Sequence, residues 1–379
     1  MTFTEKINEN KSRKCDGKTE INAMNIAEDS PIVRFFERIV TPQSQIIGIF
    51  VLSIIAGLIA LQPYWKYHDL EKNIPVIPIT PAKITQWGNV PTRVTVGLFI
   101  NNFPTLDFVN NDFVFDGIIW FEFDPALISL NTVSKFSFEK GEILSLSEPY
   151  NQFVEKKFFA RYNLRVRFKS DLNYKLFPFD DHRLDIILVN RAIDPSEMIF
   201  RSYSSFFDIS PSVQFSGWRL EDLLVKTGFT ESTIERSGTQ KIISQPRAVF
   251  SLYLRRQGSR NIFLIFLPLF VIYIISLFSF AFDPQKNSTL IFGLASAGVT
   301  SLLGYRFVIE NMTPKVGYFV LSDRIFILLL LAALGEFIFA VILVRGGKLT
   351  PIMSVIRGLT YLLINVMFLT AWYYFLTQF

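Results

Sequence analysis

Four apolar runs in the last third of the chain constrain its fold more than any other feature. They cover about 261–282, 288–309, 322–344 and 355–376. A helix rises about 1.5 Å per residue, so each run is long enough to cross a hydrocarbon core about 30 Å thick. The second run is not uniformly apolar. With Thr300 set to zero and a turn of about 100° per residue, Thr289, Gly293, Ser296, Thr300, Gly304 and Phe307 fall within about 40° of one line. A membrane helix with one small, polar stripe has a face unsuited to lipid. That face either packs on another helix, as the small pair Gly293 and Ala297 would allow, or lines water. Periodicity alone leaves both readings open.

Composition narrows the function classes. The chain is 50% hydrophobic and has 40 Phe among 379 residues, too apolar for an ordinary soluble protein of this size. The net charge is +5, but no basic cluster interleaves with aromatics, which argues against nucleic acid. One cysteine, Cys15, excludes an intrachain disulfide and a cysteine-based metal site. The two histidines, His68 and His182, are far apart, and the chain has no G-x-S-x-G, P-loop or H-E-x-x-H motif. The expectation is therefore no enzyme, no cofactor and no metal.

Taken in order, the chain predicts five segments. Residues 1–44 are polar, mix Lys6, Lys11, Arg13, Lys14 and Arg34 with acids, and read as a disordered cytoplasmic tail. Residues 45–67 hold the apolar run 46–61 with Tyr64, Trp65 and Tyr67 behind it. They read as an uncleaved transmembrane signal anchor, since the polar region ahead is too long for a signal peptide. Residues 68–91, with Pro75, Pro78, Pro81 and Gly88, read as an extended linker. Residues 92–257 alternate with period two at 93–100, 163–168, 183–188 and 248–254. Turn signals lie between them at 110–112, 140–142 and 194–196, which predicts an antiparallel β-sandwich. Residues 258–379 predict a four-helix transmembrane domain. The fold class is thus membrane α+β: an outer sandwich followed by a four-helix bundle, with one extra N-terminal span. The positive-inside tendency puts the N-terminus in the cytoplasm and the sandwich outside, in a plasma or bacterial inner membrane.

Several local motifs carry a family resemblance. Phe177-Pro178-Phe179-Asp180-Asp181-His182-Arg183-Leu184 resembles the F-P-F-D-x-Q-x-L loop of the pentameric ligand-gated ion channels of the prokaryotic, Cys-less type, with His182 where Gln is usual. Arg256 lies twelve residues before Pro268 and Ser276 eight residues after it, as in that family's first helix. Residues 311–318, Asn-Met-Thr-Pro-Lys-Val-Gly-Tyr, resemble the loop between its second and third helices, with Glu310 ahead, and Trp120 resembles the sandwich's signature Trp. The resemblance covers about residues 90–379. The chain departs from it after Trp120, where no Arg follows. It departs again in the second helix, where Thr300 replaces a bulky aliphatic residue and no acid opens the helix.

The resemblance implies a homopentamer in a lipid bilayer that passes inorganic ions in response to a small-molecule or proton agonist. Thr289, Gly293, Ser296, Thr300, Gly304 and Phe307 would line the pore, and the missing acidic ring favours anions or weak selectivity. Pro178, Phe179, Asp180, Arg256, Pro314, Lys315 and Tyr318 would couple the outer domain to the pore, with Asp180 and Arg256 as an ion pair. Trp120, Phe200 and Tyr203, with Phe206 and Phe207, are candidates for an agonist cage or for plain sandwich packing. The presumed agonist loops are 194–207 and 228–245. Glu336 is an acid inside the third helix, and Arg306 is expected to partner Glu310 or a nearby loop. The alternative is a non-conducting membrane sensor or scaffold of the same fold.

Overall fold

The computed structural model describes residues 30–65, 71–236, 239–257, 260–346 and 350–377. The predicted tail over residues 1–29, with Cys15, and also His68, lie outside them. The chain divides into two compact units. One is helical, formed by the N-terminal helices together with 260–313 and 319–379. The other is a sheet domain, 67–259, which also takes in 314–318.

In the sheet domain, β1 (Thr92–Asp107), β2 (Asp112–Phe123) and β6 (Lys157–Phe168) are hydrogen-bonded in the order β6-β2-β1. β4 (Gly141–Leu146) and β5 (Tyr150–Val154) pair with β6. β8 (Met198–Arg201) and β9 (Phe207–Ile209) run parallel to β1, so this sheet is mixed rather than antiparallel as the periodicity predicted. The second sheet has the order β10-β11-β7-β3 and is antiparallel. Its strands are β3 (Phe136–Glu139), β7 (His182–Asn190), β10 (Trp218–Arg236) and β11 (Thr239–Arg256). Alternate residues of both sheets meet in one core, among them Leu98, Phe115, Phe121 and Val166 from the first sheet and Leu184, Ile186, Phe250 and Leu252 from the second. That shared core is what the period-two pattern specifies.

Two stretches read as loops or linker are ordered otherwise. Residues 228–236 and 239–245 are arms of the long β10–β11 hairpin, paired from Gly228 opposite Arg247 to Thr230 opposite Gln245 and on to Arg236 opposite Thr239. The linker lies against the outer face of β7 and β11. The Arg183 guanidinium donates to the Lys72 carbonyl at 3.0 Å and Arg247 to the Pro75 carbonyl at 3.0 Å. Ile74 and Val76 pack on Ile187, Val189 and Val249. Ile77 and Phe229 exchange backbone hydrogen bonds of 2.9 and 3.1 Å. A methyl group on Gly228 would stand 2.2 Å from the Ile77 carbonyl oxygen, so that crossing needs glycine. Because the linker covers one face and the core the other, every residue of β7 is buried.

The helical unit begins with α1 (Pro31–Ile39) and α2 (Pro42–Trp65). The polar tail reading therefore fails at 31–39, where an amphipathic helix lays its apolar side on the bundle; Val33 is buried and Phe36 closes on Gly358. A short helix, α3 (Pro81–Trp87), and a single turn, α4 (Leu130–Val133), belong to the sheet domain. Then come α5 (Arg260–Leu277, continued by a 3-10 turn to Ala281), α6 (Ser288–Met312), α7 (Leu321–Gly346) and α8 (Pro351–Thr377). Among the described residues five helices, α2 and α5 to α8, are long and apolar enough to cross a membrane, so this is a membrane protein. α6 packs on α5 and α7, whereas α8 stacks Phe368 and Trp372 against Phe266, Phe270 and Tyr273 of α5. α2 lies against α8, where the Trp372 indole donates to the Ala56 carbonyl at 3.0 Å.

Candidate functional site

Two constellations carry the candidate chemistry, one in each unit. The first is the face of α6. Its buried residues are Ile291, Ala295, Gly298, Leu302 and Ile309, which lie about 160–220° around the helix from Thr300. They are held by α5 and α7. Gly298 meets Ser276, whose Cβ would be 2.6 Å from an added methyl, and Phe292 packs on Phe337 at 5.5 Å. Arg306 pairs at 2.5 Å with Asp323, not with Glu310, and Asp323 also accepts from the Val320 amide at the start of α7. One further tie repairs a defect. Pro268 has no N–H, so the carbonyl four residues back, at Leu264, loses its helical partner. The Tyr305 hydroxyl donates to that carbonyl.

The stripe lies on the opposite side. Thr289, Gly293, Thr300, Gly304 and Phe307 are exposed and Ser296 is half-buried. Among the described residues, and apart from their own stretch of helix, nothing comes within 4 Å of a Cβ built on Gly293 or Gly304. The Ser296 hydroxyl donates to the Gly293 carbonyl at 3.1 Å and Thr300 to the Ser296 carbonyl at 2.9 Å. Among the described residues, the two glycines of the stripe thus pack on no other element. The glycine that does pack, Gly298, is off the stripe.

The second constellation is a buried charge cluster in the sheet domain. Pro178 follows a cis peptide bond, and it and Phe179 are buried beneath the loop that carries Asp180. Arg256, at the end of β11, donates Nε and Nη2 to the two oxygens of Asp180, both at 2.9 Å. Its guanidinium lies 4.2 Å from the Trp218 ring and 5.4 Å from Phe177, and its amide donates to Asp181 at 3.0 Å. His182 extends the chain of charges. Its Nε2 is 2.8 Å from Asp180 and its Nδ1 is 2.9 Å from Glu71, with Phe108 stacked on the ring. Burial pushes the Asp180 carboxyl up, but the Arg256 charge and the hydrogen bonds from His182 and Arg256 outweigh it and hold it at about 2. Burial lowers the His182 pKa, and the hydrogen bonds to Asp180 and Glu71 reverse that, leaving it above the ordinary histidine value.

Pro314, Lys315 and Tyr318 pack with the same domain. Pro314 is buried, and the Tyr318 hydroxyl accepts from the Tyr174 amide at 3.0 Å. The aromatic candidates separate. Phe200 and Phe207 are in the core. Trp120 lies over Gly97 and meets Phe206 edge-on at 5.2 Å, and Tyr203 meets Phe206 at 5.4 Å. A cage including Phe200 therefore does not form, since that ring is spent on the hydrophobic core. Glu71 was missed by sequence reasoning because it lies in a Pro-rich linker ahead of the recognisable motifs.

No family model matches this chain, and no curated protein matches it.

Proposed function

We propose that this chain is the subunit of a homopentameric ligand-gated ion channel, its β-sandwich outside the membrane and its pore lined by α6. The observation that carries the reading is the rotation of α6. The face that α5 and α7 bury is apolar, and the face turned away from them is the small, polar stripe from Thr289 to Phe307. A stripe left largely exposed by its own bundle and unsuited to lipid is accounted for if copies of α6 surround water. The residues resembling Cys-less channel motifs at 177–184 and 311–318 support the same reading, as does the pair that joins Asp180 of the first to Arg256. In this reading the charge cluster and the 314–318 segment transmit movement of the sandwich to α6. Phe307, 71% exposed, is the largest side chain on the stripe and forms the constriction.

The test is current from the purified protein in planar bilayers under ionic gradients. Reproducible unitary currents, raised at rest by Phe307→Ala and lowered by Thr300→Leu, are expected. Silence across a range of pH and ligands would point instead to a non-conducting sensor.

A further inference from the structure

A recess of about 570 Å³ opens among the loops of the sheet domain and the 314–318 segment that packs with it. Its walls come from four stretches of sequence: Lys72 of the linker, the β1–β2 turn at 109–111, the loop 171–175, and Lys315, Val316 and Tyr318. Three lysines, Lys72, Lys175 and Lys315, line it from separate stretches, and each is exposed. Among the described residues none of the three forms an ion pair. The neighbouring acids are committed elsewhere. Asp171, the one carboxylate in the wall, pairs with Lys140, and Glu71 turns inward to His182. Asp107 accepts from the Val109 and Asn110 amides.

Three ammonium groups around one concavity repel one another, and a cleft lined by charges of one sign focuses their field. An anion in the recess removes that cost. Ammonium groups act as movable point charges on flexible stems and suit the spread oxygens of a phosphate; a planar carboxylate is better matched by the fork of an arginine, and the recess has none. The volume is within the range of about 300–1,000 Å³ typical of small-molecule sites and exceeds what one simple ion fills. We propose that this recess binds a phosphate-bearing anion through Lys72, Lys175 and Lys315. The phosphate could belong to a lipid headgroup or to a soluble molecule, and the two sources are separated below. The site stands or falls independently of whether the protein conducts.

The experiment uses the full-length protein in nanodiscs of phosphatidylcholine, titrated calorimetrically with inorganic pyrophosphate. Saturable binding is expected, weakened about tenfold or more in K72Q/K175Q/K315Q by the loss of three charge-assisted contacts. K135Q/K156Q/K226Q changes the net charge equally at exposed sites away from the recess and should weaken binding by less than about twofold. In nanodiscs containing phosphatidylglycerol, native mass spectrometry reads retained lipid. Lipid lost in the recess variant and displaced by pyrophosphate identifies a headgroup site; pyrophosphate binding without selective lipid retention identifies a soluble ligand. Protection of Lys72, Lys175 and Lys315 from acetylation by pyrophosphate in the unmutated protein supplies the same evidence if the triple variant fails to fold. Equal weakening by both triple variants, absence of that protection, or no saturable binding of either probe overturns the proposal.

Discussion

His182 is held between two carboxylates, and its position makes the cluster sensitive to pH in a defined direction. Its pKa is raised on folding, so its contribution to stability is fully present below the ordinary histidine value and is lost as pH rises through the raised one. Asp180 has the opposite sign: lowered to about 2, it stabilises above the ordinary carboxylate value and loses that contribution as pH falls through its folded value. The cluster therefore contributes most between about pH 4 and pH 6.5. Melting temperatures of the full chain between pH 5 and pH 9 should fall on the alkaline side, and His182→Gln should flatten that limb. An unchanged alkaline slope in the variant would show that His182 does not carry it. The same burial makes the ion pair costly to break from one side. Asp180→Asn and Arg256→Gln should each destabilise by about 3–5 kcal/mol, because each leaves a charge without its partner. The double variant should cost far less than the sum, and denaturant titration of the four proteins of the cycle reads the difference. Additive effects would contradict the pairing seen in the structure.

At the level of the element, α6 separates two uses of small residues. A methyl at Gly298 runs into Ser276, so Gly298→Ala should cost about 1–3 kcal/mol of stability. Among the described residues, Gly293→Ala meets no other element, so it should leave the melting temperature of the isolated subunit unchanged or slightly raised. Equal losses at both positions would contradict this helix rotation. Labelling asks what the open face meets. With Cys15 changed to Ser, cysteines at Thr289, Gly293, Ser296, Thr300, Gly304 and Phe307 should react with a charged thiol reagent, while those at Ile291, Leu302 and Ile309 should not. The thiolate forms only where water reaches it. Labelling without a helical period would mean that the stripe lines no water. The stripe itself was legible because 3.6-residue periodicity survives in sequence, and so were β1, β6, β7 and β11, whose core-facing positions repeat at period two. The parallel strands β8 and β9 were not legible. They are three or four residues long, and their partner lies about 100 residues away, beyond any local pattern. The linker's path was equally hidden, since Arg183 and Arg247 reach its carbonyls, and backbone carbonyls carry no residue-specific mark. Glu71 was invisible for a related reason: nothing near it in sequence announces a buried histidine 111 residues on.

For the whole molecule, the open question is what covers α6 on the side that its own bundle leaves bare. Ser296 and Thr300 satisfy their hydroxyls on the helix backbone, so lipid contact there is tolerable at those two residues taken singly. Gly293 and Gly304 are different. Without side chains they expose backbone carbonyls, and hydrocarbon offers those groups no second partner. Stacked along about 18 residues, such a face is better placed toward water or toward another copy than toward acyl chains. α8 packs on α5 and α2 on α8, and the buried residues of α6 lie opposite the stripe, so in the proposed channel the symmetry axis runs along the stripe. In the proposed channel, copies placed head to tail around that axis would close a ring, as heterologous contacts do when their rotation closes. Native mass spectrometry in mild detergent should therefore give a species of five times the 43.7 kDa chain. Substituting leucine for both Gly293 and Gly304 should shift the population toward smaller species by crowding the axis. A wild-type chain that stays a monomer or dimer at every detergent concentration would mean that the stripe is covered by something other than its own copies.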